Sequence, residues 1–434
     1  MGNPNRLLPL ILLVALILRV GWAVSRPADD ASIDQLPDQR EYLEIARSFF
    51  RGEGLNFADP RFVQTVYAYR TPGYPLFLAA CGANVRIARI AQCLLDTSTV
   101  LAAYLLARRW LDSGPALFAA ALVALNPFLV YFCGLLLTET LFTTLLAWGM
   151  VLLMSRRTIP WLTGGAIIAL SVLVRPGALG MPILLGVLAA IANRRTEEPY
   201  HRRWPLPVGT TMLLLTLLAL LPWAMRNHRV VGRWVWTSTN SGITSYDGFN
   251  PDAAGASDQG FVRTMPQLRI MNETERNEYL GGLASQYVRQ NPRRSLELAG
   301  AKVARTWSPR PLSSEFSRPA YVAAALAYSV PFDVLVLCGL LAGRIPRTAK
   351  LYLAGPALYL TLAAATSVGS LRYRIPAEVP MAVLAAASLG WLAAQVATSD
   401  NRPPGEQTPL SDESTSDPAP GPTADDDVAE PAEP

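Results

Sequence analysis

Charge is scarce in this chain. Only 16% of its 434 residues are Asp, Glu, Lys or Arg, against about a quarter in soluble domains. That scarcity excludes a soluble protein of ordinary composition. Histidine is scarcer still, with His201 and His228 the two present. Neither a histidine metal site nor a Ser-His-Asp triad can be built from them. The four cysteines, Cys81, Cys93, Cys133 and Cys338, lack the spacing of a metal site and read as small hydrophobes beside apolar runs. No glycine-rich phosphate loop or dinucleotide fingerprint occurs, which argues against a nucleotide-dependent enzyme. No basic domain with interleaved aromatics occurs either, so nucleic acid is not an expected partner. No internal repeat of fixed period is found.

Long apolar runs are what the chain has instead. Hydrophobic residues make up 51% of it, and most of the runs approach the roughly 20 residues that cross a bilayer as a helix. The expected fold is an all-α polytopic membrane protein. Its spans are expected near 7–24, 87–107, 114–132, 135–154, 160–174, 178–192, 207–224, 321–342, 351–368 and 376–396, about ten in number. The first run has no small-residue cleavage site and reads as an anchor.

Arginines in the short loops set the orientation. Arg6, Arg108-Arg109, Arg156-Arg157, Arg194-Arg195, Arg202-Arg203, Arg344, Arg347 and Lys350 all fall on one side of a ten-span arrangement. That side is expected to be the cytoplasm of a cell inner (plasma) membrane, with both termini there. The first loop, 25–86, and the segment 225–320 then lie outside. The chain divides into a transmembrane half with its first outer loop (1–224), a small extracytoplasmic module (225–320), C-terminal membrane helices (321–396) and a tail (397–434). The module is expected to hold an extended strand-like piece from Arg233 to Thr239, then helices from Glu273 to Gln290 and Pro292 to Trp307, the second on the membrane interface. The tail carries ten acids against Arg402 and is expected to be disordered.

Polar residues that interrupt or end the spans gather on the expected outer side. Asp38, Tyr42, Arg70 and Tyr74 lie in the first loop, with Arg70-Thr71-Pro72-Gly73-Tyr74-Pro75 forming a rigid turn. Thr138-Glu139-Thr140 opens span four. Arg175-Pro176 separates spans five and six. Arg226-Asn227 follows span seven, and Arg372-Tyr373-Arg374 precedes span ten. Ionisable groups at membrane depth are costly and usually functional. Arginine binds phosphate through a bidentate fork, and a carboxylate beside a hydroxyl acts as general base. Each also has a plainer reading. Asp38 suits a helix cap, Glu139 a rim ion pair, and Arg175 and Arg372 interfacial snorkelling.

Asp38-Gln39-Arg40-Glu41-Tyr42, Gly52-Glu53-Gly54 and the Arg70–Pro75 turn, followed by Thr138-Glu139-Thr140, Arg175-Pro176, Pro222–Asn227 and Arg372–Pro376, resemble glycosyltransferase family 39-like proteins. That group includes protein O-mannosyltransferases and the lipid A aminoarabinose transferase. The resemblance implies a C-type glycosyltransferase (GT-C) helical bundle and a sugar donor on polyprenyl phosphate. It puts Asp38 at the catalytic aspartate of the first loop, Glu139 at a second acidic position, and Arg70 beside the donor phosphate. Gln39 stands where many relatives have a second acid, so a metal held by paired acids is not implied.

The expected activity is transfer of a hexose or pentose from a polyprenyl-phosphate donor to a hydroxyl on a lipid or glycan acceptor, with inversion, at the extracytoplasmic face. Asp38 and Glu139 are the expected catalytic residues. Arg70, Arg175, Arg226 and Arg372 are expected to hold phosphate, and Tyr42, Tyr74, Asn227 and Tyr373 to position substrate. No cofactor or metal is expected. The rival reading is a transporter or flippase of a lipid-linked sugar, which uses the same arginines and needs no base.

Overall fold

The computed structural model describes residues 4–193, 206–312 and 318–400. The arginine loop beyond Asn193 and the acidic tail lie outside them. Among the described residues, eighteen α-helices and one hairpin follow one another. The first polar segment links α1 (Pro4–Ser25) through α2 (Asp30–Ile33), α3 (Pro37–Phe50), β1 (Phe57–Asp59), β2 (Gln64–Val66) and α4 (Gly73–Ala80) to α5 (Val85–Ala107). Then come α6 (Ser113–Ala124), α7 (Pro127–Cys133), α8 (Thr138–Leu153), α9 (Thr158–Ser171), α10 (Met181–Asn193) and α11 (Val208–Val231). A second polar segment holds α12 (Ser241–Gly248), α13 (Phe261–Thr264), α14 (Glu273–Gln290) and α15 (Pro292–Thr306). The last helices are α16 (Pro319–Ala342), α17 (Arg347–Ala365) and α18 (Glu378–Asp400). Residues 1–393 form one unit, and beyond it the described residues hold only the end of α18.

Every expected span coincides with helix, but the expected count is not met by length and composition. Among the described residues, five helical stretches are long and apolar enough to cross a membrane, or six if α6 and α7 are one span bent by 47°. The bend has a local cause. Asn126 accepts backbone hydrogen bonds from Phe128 and Leu129, and Pro127 occupies the first helical position, so a helix restarts there. The helices α8 and α9 are apolar but shorter. At 1.5 Å per residue, α8 reaches only about 24 Å.

Polar anchors fix the bundle. Arg19 of α1 is fully buried, 2.5 Å from Asp96 of α5, and donates to the carbonyls of Val123 and Ala124 at the end of α6. A charge at this depth is stable only when paired and fully bonded. Between α8 and α9 small residues allow close approach: a Cβ on Gly164 would lie 2.7 Å from the Leu153 nitrogen.

The two polar segments share a core. Ile45, Phe57, Phe62 and Val66 pack with Ile243, Leu268 and Leu280. The Arg276 guanidinium lies 3.5 Å from the Phe62 ring centre and donates to Leu268 O and Met271 O. Glu273 accepts from the backbone nitrogens of Tyr67 and Ala68. The chain is therefore held on both sides just before Arg70. Arg233–Thr239 is not the expected strand but an irregular segment with bends at Arg233, Trp236 and Thr237; among the described residues the one sheet is the β1–β2 hairpin. Helix α14 has the expected bounds and begins with a capping box from Asn272 and Glu275. Helix α15 packs on α17 rather than lying free, with Lys302 fully buried and Trp307 donating to Thr361.

Candidate active site

Two close approaches build the site. The first joins the Arg70 turn to the end of α9. Gly73 N donates to Leu173 O at 2.8 Å, and a Cβ on Gly73 would lie 2.7 Å from that oxygen. Only glycine fits, and the contact sets Arg70 and Arg175 on one cavity wall. The second joins α3 to the loop before α8. Gln39 Oε1 accepts from Leu136 N at 2.8 Å. Gln39 thus holds the strand of chain that delivers Glu139, a structural use for the residue that stands where a second acid was looked for.

Asp38 is not a helix cap. Leu36 holds that position, and Pro37 begins α3, so Asp38 sits in the first turn with its carboxylate free to reach across. It meets Arg70 Nη2 at 2.6 Å and Arg372 Nη1 at 3.2 Å. Arg372 Nε continues to Glu139 at 2.6 Å, and Arg175 Nη2 reaches the same Glu139 oxygen at 3.2 Å. On the other side, Arg70 Nε donates to Glu41 at 2.7 Å. Arg61 then bridges Glu41 at 3.0 Å and Asp59 at 2.7 Å. Four carboxylates and four guanidiniums alternate in one chain: Asp59, Arg61, Glu41, Arg70, Asp38, Arg372, Glu139, Arg175.

Burial pushes the Asp38 carboxyl up, but the Arg70 and Arg372 guanidiniums outweigh it and hold the group well below the usual carboxylate range. Burial pushes the Glu41 carboxyl up more than the Arg70 and Arg61 guanidiniums pull it down. Burial also pushes the Tyr42 phenol up to about 12, which keeps it a hydrogen-bond donor. Its ring lies 5.1 Å from the Arg70 guanidinium. Glu139 Oε2 and Arg175 Nη1 are buried and have no partner.

A cavity of about 650 Å3 opens on this chain, lined by Asp38, Tyr42, Arg70, Arg175, Arg372 and Tyr373 among others. Arg372 also lines a smaller apolar cavity of about 130 Å3 with Phe128, Tyr131, Phe132 and Tyr321. Behind Arg372, the buried Arg374 turns the other way, to Glu378 at 3.2 Å and Asp333 at 3.4 Å, and anchors the loop.

Three expected site residues lie elsewhere. Arg226 donates to Tyr67 O at 2.6 Å and Leu55 O at 2.8 Å, holding the first loop. Asn227 donates to Val235 O. Tyr74 is fully buried and donates to Gln92 at 2.6 Å. None of the three lines the cavity. Glu41 was not singled out from the sequence, although it stands three residues after Asp38 on a helix and so shares its face. Among the described residues no three His, Cys, Asp or Glu side chains gather as a metal site.

Residues 74–223 match the family profile described as dolichyl-phosphate-mannose-protein mannosyltransferase. Undecaprenyl phosphate-alpha-4-amino-4-deoxy-L-arabinose arabinosyl transferases from Pseudomonas paraeruginosa and Pseudomonas aeruginosa are each 31% identical over 210 residues. Those matches cover 44% of this chain and 36% of each relative, so the chain aligns with well under half of their length. An oligosaccharyltransferase from Archaeoglobus fulgidus, solved with a tethered acceptor peptide, superposes with a TM-score of 0.53 at 16% identity, over 91% of this chain and 50% of that one. The same kind of archaeal enzyme in complex with an inhibitory peptide and a dolichol-phosphate gives 0.52 at 14% identity, over 92% and 51%. The resemblance to GT-C glycosyltransferases thus holds both in the sequence of residues 74–223 and in the fold.

Proposed function

We propose that this chain is a membrane glycosyltransferase that moves a hexose or pentose from a polyprenyl-phosphate donor to a hydroxyl acceptor, with inversion, at the extracytoplasmic face of the inner membrane. The observation that carries the reading is Asp38, ionised and bridged by Arg70 and Arg372 on the wall of the larger cavity. The smaller apolar cavity, joined to it through Arg372, is the place for the carrier chain. The similar proteins named above support a donor of this class.

At rest the carboxylate–guanidinium chain is formally neutral. The donor phosphate competes with Asp38 for Arg372 and Arg70, and it meets the unpartnered Arg175 Nη1. Each contact made to phosphate loosens one made to Asp38, so donor binding frees the base. Asp38 then takes the proton of the acceptor hydroxyl, whose oxygen attacks the anomeric carbon from the face opposite the phosphate. The bond from that carbon to the phosphate oxygen breaks. The carrier phosphate leaves with a second negative charge, which the arginines stabilise. Glu139 keeps Arg175 and Arg372 aimed at that point, and Tyr42 and Tyr373 line the path of the sugar.

The test uses purified protein in nanodiscs and a panel of polyprenyl-phosphate sugars. Asp38→Asn should keep the fold and bind polyprenyl phosphate, and should lower transfer by about a thousand-fold, within the range a lost general base causes. Transfer within a few fold of wild type would remove Asp38 from the base role. Sugar-lipid translocation without any transfer would favour a flippase instead.

A further inference from the structure

We propose that the acceptor is a neutral carbohydrate of at least two rings, bound by the half of the cavity that carries no charge and by a tryptophan-lined groove continuous with it. This rests on the donor reading above, which assigns the charged half.

The larger cavity is divided by chemistry. Its charged lining residues are Asp38, Arg70, Arg175 and Arg372, all in the donor half. The polar, uncharged part of the lining comes largely from α12 and the segment before it: Thr237, Ser238, Asn240, Ser241, Thr244 and Ser245. No acid or base stands among these six. An acceptor with a phosphate, carboxylate or ammonium group at this wall would lose its hydration to a surface with no counter-charge, which is costly. Hydroxyl groups suit it. Asn240 Oδ1 is buried and has no partner, so it needs a donor that the protein does not supply. Ser241 donates to Asn277 at 2.9 Å and Thr244 donates to the Asn240 carbonyl at 3.1 Å. Both residues line the cavity, and each hydroxyl keeps acceptor lone pairs. The wall is set to receive O–H groups.

A second feature sets the length. Thr237 and Ser238 also line a polar groove of about 220 Å3, shared with Trp234, Trp236, Asn277 and the opposite charges of Arg233 and Glu278, 4.0 Å apart. Trp234 and Trp236 lie two residues apart in the segment before α12, and both line this groove. Their rings are 24° from parallel with centroids 6.2 Å apart, and they are 54% and 40% exposed. Flat indole faces beside amide and guanidinium groups match a sugar ring, which presents C–H groups on its faces and hydroxyls on its rim. Because the groove and the cavity share Thr237 and Ser238, a chain whose first ring sits against Asn240 places its next ring toward the tryptophans.

The test measures binding to the whole protein in nanodiscs by tryptophan fluorescence and saturation-transfer NMR. The probes are neutral manno- and gluco-oligosaccharides from one to six rings, a hyaluronan hexasaccharide and a Ser/Thr-rich peptide. The neutral series should bind, with affinity rising about ten-fold from one ring to three, the size of one good aromatic contact. Trp236→Ala should flatten that rise. Asn240→Leu should weaken one ring and six rings alike. Ile270→Ala, at an exposed site outside both features, should change nothing. The proposal is overturned if no neutral saccharide binds, if the hyaluronan or the peptide binds more tightly, or if brominated lipids quench the fluorescence lost in Trp234→Phe, which would make the pair a membrane anchor. Polyprenyl phosphate binding to the wild-type protein, measured in the same discs, separates the two readings: its presence without saccharide binding rejects this proposal alone, and its absence rejects the donor assignment.

Discussion

Arg372 is the residue on which the site turns. It touches both Asp38 and Glu139, and it lines both the larger and the apolar cavity. Its effect on Asp38 has a definite sign. Burial raises the carboxyl and the two guanidiniums lower it, the latter winning. Removing one guanidinium must therefore raise the pKa of Asp38. For the wild type, kcat/KM should stay flat down through pH 5, since the base remains ionised below the ordinary carboxylate range. Arg372→Met should bring in an acid limb at higher pH, and Arg372→Lys, which keeps the charge, should move it less. A pH profile of kcat/KM checks this; identical acid limbs in all three proteins would mean that another group sets the profile. The sequence makes Asp38, Arg70, Glu139, Arg175, Arg372, Tyr42 and Tyr373 legible as candidates, and all but Glu139 line the cavity. Arg226, Asn227 and Tyr74 were equally legible, because proximity to a span end says nothing about which way a side chain turns.

At the scale of elements, the contact between Gly73 and Leu173 decides where Arg70 stands. Gly73 has no left-handed backbone requirement; the constraint is the backbone of α9's end, 2.7 Å from where a Cβ would sit. Gly73→Ala should cost roughly 1–3 kcal/mol through overpacking and lower transfer about a hundred-fold through misplacement of the turn. Gly114→Ala, in open space within α6, should leave both unchanged. Thermal unfolding and transfer rates of the two variants decide it, and equal behaviour would show that the turn tolerates displacement. This contact was not legible in the sequence. The Pro-Gly-Tyr-Pro string announces a turn, but its docking partner lies a hundred residues away. The restart of α7 was not drawn from the sequence, where 114–132 reads as one span, although Asn126-Pro127 is a cap followed by a first-turn proline. The grip of Glu273 on the backbone before Arg70 was not legible, because a carboxylate bound to backbone nitrogens leaves no pattern.

For the whole molecule, the proposed topology places the short-loop arginines on one side of the membrane and the cavity on the other. A cysteine at Arg293, exposed on α15, should react with an impermeant maleimide in spheroplasts, in a background without native cysteines. One at Asp112, in the short loop after α5, should react only after lysis. The reverse pattern would invert the side of the active site. The two polar segments, far apart in sequence, share one core, and that sharing was beyond a span-by-span reading, which treats each loop as local.

The alternating chain of four carboxylates and four guanidiniums has a consequence for how such a site can change over generations. Any single loss leaves an unmatched charge in a poorly hydrated place, so one-step variants fall into a fitness valley. The members are expected to drift in neighbouring pairs. A lineage altering Glu41, for example, should carry a compensating exchange at Arg61 or Arg70, and such paired replacements across descendants would trace the network without any structure.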